Sequence, residues 1–182
     1  MQASKPVKVK PNSHQISVAA EAIAAAQFAR CGYDVSVQYG ANQPGYDLIV
    51  ADQNDHLLKI SVKGSQDGAW ALAQNFLTNA NYQTAIDSWL AKQNAAVMFC
   101  FVQFYRVEIG ALPRVYLASA HEVAEALRTA KNGRGEVALY ENYTFTRGPH
   151  AGCTDKLPLG WIFSAERIQQ LLANGDLALT AE

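Results

Sequence analysis

The chain has 182 residues, 49% of them hydrophobic, which suits one globular domain with a sizeable core. Its 15 Lys and Arg against 16 Asp and Glu leave a formal net charge of −1, so a nucleic-acid surface must be a local patch, not a global basic excess. No apolar run approaches the roughly 18 residues of a membrane span, and the N-terminal M-Q-A-S-K-P-V-K-V-K-P lacks an apolar signal core, so a cytoplasmic protein without a membrane partner is expected.

Residues 1–12 read as an extended or mobile arm. Lys5, Lys8 and Lys10 make it basic, either as a solvated tail or as a contact to a phosphate backbone. Ser13 to Arg30 reads as a helix rich in alanine, capped by Ser13 or Asn12 and closed by Cys31-Gly32. It has almost no charged face, so it is expected to be largely buried. Its one acidic residue, Glu21, then needs a partner, a cation or a shifted pKa. Tyr33–Tyr39 alternates as a strand, and Gly40–Gly45 is a turn.

Asp47–Ala51 and Leu57–Lys63 follow as two strands joined by the polar turn Asp52–His56. Symmetry about Asn54 places Asp47 opposite Ser61. One face is then Leu48, Val50, Leu58, Ile60 and Val62, a core face without a polar side-chain atom. The other carries Asp47, Ile49, Ala51, Lys59, Ser61 and Lys63. Cross-strand neighbours lie roughly 4.5–5.5 Å apart at Cβ. A carboxylate and a lysine that close either pair on the surface, for about 0–1 kcal/mol, or hold a divalent cation and a phosphate between them.

After the flexible Gly64–Gly68, Trp70–Leu77 is a short strand or an ordered loop. Asn79 or Asn81 caps a helix to about Gln93, burying Ile86, Trp89 and Leu90. Ala95–Tyr105 is the most hydrophobic run and reads as a central strand buried on both faces. Arg114–Ala118 is a further strand. Ser119 and Glu122 form a capping box for a helix that ends near Lys131-Asn132-Gly133. Val137–Tyr140 and Tyr143–Thr146 read as short strands and Arg147–Pro158 as an irregular loop. A last helix from Ser164 to about Asn174 turns Ile168, Leu171 and Leu172 inward, and 176–182 form a peripheral tail. No linker divides the chain, so residues 1–182 are expected to form a single α/β domain. Its core would be a mixed sheet of about five strands with helices on both faces. The widely spaced Cys31, Cys100 and Cys153 read as free thiols. His150 and Cys153 have ligand spacing, but no second pair completes a zinc set.

The succession A-E-A-I-A-A-A-Q-F-A-R-C-G-Y-D-V, G-Y-D-L-I-V and I-S-V-K-G-S, over about residues 15–66, resembles the core of the PD-(D/E)XK nuclease superfamily, the restriction-endonuclease-like fold. The later order of helix, long apolar strand, P-R-V-Y-L-A-S strand and helix is also similar. The resemblance implies that Asp47 is the metal aspartate, Glu21 the helical acid and Lys63 the lysine of the D/E-x-K triplet. Val62 would offer its backbone carbonyl to the metal. The chain departs from the pattern at Ser61, which stands where the family has Glu or Asp, or Gln in some variants. Pro44 also precedes Asp47 by three residues instead of one.

The implied activity is Mg²⁺- or Mn²⁺-dependent endonucleolytic hydrolysis of DNA. Asp47 and Glu21 would hold the cation and Lys63 would orient the attacking water or stabilise developing charge; Ser61 and Gln66 would be auxiliary. Ser61 and the near-neutral charge also fit an inactive nucleic-acid-binding or protein-interaction domain on the same fold. A homodimer or a protein partner that supplies DNA contacts is a further expectation.

Overall fold

The computed structural model describes residues 10–38, 45–54 and 56–179, with side chains as far as residue 173. The expected basic arm up to residue 9, with Lys5 and Lys8, the end of the first strand at Tyr39, the turn through Pro44 and residues 180–182 of the tail lie outside the described residues.

Helix α1 (Ser13–Arg30) is capped by Asn12, whose side chain accepts the Gln15 N–H while the Gln15 side chain accepts the Asn12 N–H. Beyond Cys31, Gly32 takes φ +88°, a left-handed conformation that favours glycine. The helix is not largely buried. It buries the single stripe Ile16, Ala20, Ala24 and Phe28 and leaves Ser17, Val18, Ala22 and Ala26 exposed. Alanine favours helix on either side, so a missing charged face does not mean burial.

Strands β1 (Asp34–Val37), β2 (Leu48–Ala51) and β3 (Leu57–Ser65) run antiparallel in sequence. Leu48 lies opposite Ile60 and Val50 opposite Leu58, the register that symmetry about Asn54 predicts. Asp52 closes the turn by accepting the N–H groups of Asn54 and His56 on Oδ1. Strand β3 runs two residues past Lys63 and pairs in parallel with β5 (Val97–Gln103), with Lys63 beside Phe101 and Ser65 beside Gln103. All seven residues of β5 are buried. Strand β6 (Arg114–Ser119) completes a five-stranded mixed sheet of order β1-β2-β3-β5-β6.

Helices cover both faces. Against one, α2 (Tyr82–Leu90, capped by Asn81) and α3 (Ala120–Gly133, capped by Ser119 and Glu122) pack Ile86, Trp89, Val123 and Leu127 onto Phe99, Phe101 and Ala118. Against the other, α1 and α4 (Ala165–Leu179) pack Ala24, Phe28, Ile168 and Leu171 onto Leu48, Ile60, Cys100 and Leu117. The buried Arg167 guanidinium of α4 donates to the Leu117 carbonyl at 3.2 Å and to both Glu122 oxygens at 2.7 Å. Burial pushes the Glu122 carboxyl up, but Arg167 and the Ser119 N–H outweigh it and hold the pKa below the ordinary value.

Two small antiparallel pairs extend from this body. Strand β4 (Ala69–Ala71) pairs with β7 (Ala138–Tyr140), and β8 (Asn142–Thr144) pairs with β9 (Thr154–Lys156). The stretch expected as an irregular loop to Pro158 therefore carries a strand near its end. Strand β4 is shorter than the alternation over Trp70–Leu77 suggests, because the chain turns at Gln74–Phe76 into one turn of 3₁₀ helix. The α-helical part of α3 stops at Thr129. Lys131, Asn132 and Gly133 then take φ of 52°, 58° and 87°, ending the helix where the Asn-Gly pair predicts. Among the described residues no helix is long and apolar enough to cross a membrane.

Candidate functional site

Asp47 stands just before β2. Its N–H donates to the Ile60 carbonyl at 2.8 Å, one residue off the register in which Leu48 faces Ile60, so Asp47 and Leu48 together stand against Ile60 and the expected pairing of Asp47 squarely opposite Ser61 gives way to a bulge. Beyond this point β3 has no neighbour in β2. The Asp47 carboxylate takes over: its Oδ2 accepts the Val62 N–H at 2.6 Å and the Ser61 hydroxyl at 3.4 Å. The N–H and C=O of one strand residue point to the same edge, so the Val62 carbonyl also faces the Asp47 side.

Glu21 reaches the same place from α1. It is half-buried, and burial is the chief cause that raises its pKa. The Asp47 carboxylate raises it further, while His14 and Lys63 pull it down. Helix and hairpin thus bring Glu21, Asp47 and Lys63 within electrostatic reach of one another. What lets α1 come so close is Gly64. A Cβ there would lie 2.9 Å from Ala20 Cβ, Ile16 Cγ2 and the Ile16 carbonyl oxygen.

Together these groups line a cleft of about 430 Å³ with Ser17, Gln66, Asp67 and Trp70. Lys63 has no carboxylate partner within ion-pair distance among the described residues. Its backbone carbonyl accepts the Trp70 indole N–H at 2.9 Å. Trp70 itself is buried, edge-on to Phe101 with ring centroids 5.1 Å apart. Asp67 is turned to its own loop, with Oδ1 accepting the Ser65 hydroxyl and the Ala69 N–H.

Ser61 is 5% exposed and lies beneath Asp47, outside the cleft lining. Gln66 lines the cleft, but its amide donates to the Pro11 carbonyl at 3.1 Å and ties the start of α1 to the end of β3. His14 and Trp70 were not legible as site residues. His14 lies two helical turns before Glu21 on the same face, a spacing that could have flagged it. Trp70 acts through a backbone carbonyl and left no signal in the sequence. His150 and Cys153 are joined only by a backbone hydrogen bond, and Cys153 Sγ accepts the Asn132 amide.

No three His, Cys, Asp or Glu side chains among the described residues converge on a metal position. The pair Glu21 and Asp47 still suits a small hard cation. A half-buried carboxylate whose pKa is raised by burial and by a second carboxylate is relieved by positive charge between them, and Mg²⁺ takes one or two protein carboxylates and keeps several waters.

No protein-family model and no curated protein matches the chain. The solved structure of a bacterial homing endonuclease, I-Ssp6803I, matches it with a TM-score of 0.50 and 14% sequence identity, over 92% of this chain and 97% of that one. At that identity the likeness is one of fold: this mixed α/β chain, built on a five-stranded sheet with four helices, folds like a known endonuclease.

Proposed function

We propose that the chain is a metal-dependent phosphodiesterase of the PD-(D/E)XK kind that hydrolyses DNA. One observation carries this reading: Glu21, Asp47 and Lys63, from a helix and two strand segments, meet at one cleft within reach of each other's charge. The fold's likeness to an endonuclease supports it.

Glu21, the oxygen of Asp47 not bound by Val62, and the Val62 carbonyl would hold Mg²⁺ or Mn²⁺. When bound, the cation supplies charge neutralisation at the phosphoryl oxygens. Lys63, which forms no salt bridge among the described residues, orients the attacking water and stabilises charge that develops on the phosphate. Ser61 serves Asp47 by hydrogen bonding to it, in place of the ligand that an acid would provide there. Gln66 is auxiliary and fixes the cleft rim through Pro11. The near-neutral chain fits a homodimer or a protein partner that adds DNA contacts.

The test is incubation with plasmid and linear DNA in Mg²⁺ or Mn²⁺. Cleavage by the wild type and its loss in Asp47→Ala/Lys63→Ala are expected. Equal inertness of the two proteins across substrates ends the hydrolysis reading.

A second reading is a non-catalytic binding domain on this fold. It is favoured by the hydrogen bonds that already hold Asp47 Oδ2 to its own sheet. It predicts a flat calorimetric titration with Mg²⁺ or Mn²⁺. Binding that disappears in Asp47→Asn counts against it.

A further inference from the structure

We propose that the β8–β9 ribbon is a DNA-reading element that enters the major groove beside the cleft. The proposal rests on the nucleic-acid reading above and adds which surface makes the sequence-dependent contacts.

Four observations point to it. First, the ribbon is exposed: every residue of β8 is exposed, and in β9 only Asp155 is half-buried. A two-stranded ribbon is marginal by itself. This one is anchored from one side only, by Tyr143 stacked on Tyr140 with centroids 4.8 Å apart and by Phe145 edge-on to both. Second, the pairing Asn142↔Lys156 and Thr144↔Thr154 puts four polar side chains on the other side, and the two threonine hydroxyls lie 2.8 Å apart. Amide, hydroxyl and ammonium groups are the donors and acceptors that read base edges, and a two-stranded ribbon fits a groove about 12 Å wide.

Third, the charge is sorted. Lys156 and, in the connecting loop, Arg147 are exposed and have no carboxylate partner among the described residues. The acids of the same stretch each have a partner. Glu136 pairs with Lys131, Glu141 with Arg114 and Tyr116, and Asp155 accepts the Lys131 N–H. The outward side therefore presents cations and neutral polar groups, which complements a polyanion. Fourth, the ribbon is tied to the cleft. Tyr140, the last residue of β7 and two before Asn142, lies opposite Ala69, which lines the cleft, and the Leu157 N–H after β9 donates to the Glu141 carbonyl. A duplex whose backbone lies in the cleft would pass the ribbon.

The experiment selects from a pool of duplexes of about 30 base pairs, roughly three helical turns, with a randomised centre. Wild-type protein is used in EDTA, which halts metal-dependent cleavage. The wild type should enrich a preferred sequence. Asn142→Ala/Thr144→Ala/Lys156→Ala should bind that sequence about tenfold or more weakly, with a far smaller loss on a scrambled duplex. An unchanged near-UV dichroism of the tyrosine cluster shows that the ribbon still folds. Asn142→Asp, a single change that adds a charge at the same place, should give the same loss of preference. An absence of preference in the wild type overturns the proposal, as does a preference that survives both variants. So does a ribbon that binds a protein strand and no DNA. Failure of the hydrolysis reading looks different: a sequence is preferred but remains uncut when Mg²⁺ is restored.

Discussion

Gly64→Ala tests whether close contact of α1 with β3 builds the site. The added Cβ would meet Ala20 Cβ, Ile16 Cγ2 and the Ile16 carbonyl oxygen, each at 2.9 Å. The isoleucine methyl can rotate away. The carbonyl oxygen and the Ala20 methyl cannot, so the helix must move out by about half an ångström to reach ordinary contact. Overpacking of this kind costs about 1–3 kcal/mol, and the lower chain entropy of alanine in the unfolded state returns about 0.4–1 kcal/mol. The central values leave a net loss of about 1.3 kcal/mol, and at about 2–4 °C per kcal/mol for a chain of this size the unfolding midpoint should fall by about 3–5 °C. Far-UV dichroism on heating measures it. The same shift carries Glu21 away from Asp47 and Lys63, so Mg²⁺ affinity by calorimetry should fall too. A midpoint within a degree of wild type refutes the packing argument. A lower midpoint with unchanged cation affinity refutes the claim that this contact places Glu21.

Two further changes probe the charges. Glu21→Gln in EDTA should raise the unfolding midpoint at pH 7, because an acid whose folded pKa is raised costs stability once it is ionised. That gain should shrink as pH falls through the raised pKa and vanish below the unfolded value near 4.5, where both states are protonated; an advantage that persists at lower pH would sink the assignment. Arg167→Leu strips the partly exposed Glu122 of its buried partner and should cost about 1–2 kcal/mol in urea unfolding. Because Arg167 holds the Glu122 pKa down, the wild type should lose its advantage as pH drops through that lowered value, and a cost independent of pH would contradict the pairing.

Much of the sheet was legible because its signals are local. The polar turn Asp52–His56 fixes a register, and alternation then fixes which side of β2 and β3 is core. The central strand announced itself through the apolar run Ala95–Tyr105, within which Val97 to Gln103 form the strand and are all buried. The pairings that sequence hid are non-local or too short to pattern, such as β4 with β7 and the strand Thr154–Lys156 inside an apparent loop. In the site, spacing alone brought Asp47 near Ser61, but not the one-residue bulge that sets the Asp47 N–H on the Ile60 carbonyl. Spacing could not show that the Asp47 carboxylate bends to the Val62 N–H, or that Ser61 lies beneath it, because both depend on where β2 ends relative to β3. The face of α1 was misjudged for another reason: alanine satisfies the helix whether it faces core or water.

The indole of Trp70 gives the molecule a built-in optical reporter. Of the three tryptophans, Trp89 and Trp161 pack in the interior away from the cleft, whereas Trp70 is among its walls and is hydrogen-bonded to the backbone of Lys63. Emission from an indole depends on the polarity and charge around its N–H, so a cation or phosphate arriving beside Lys63 perturbs one fluorophore and spares two. Occupancy of the cleft can therefore be followed by light on the unlabelled chain, whether or not any bond is cut.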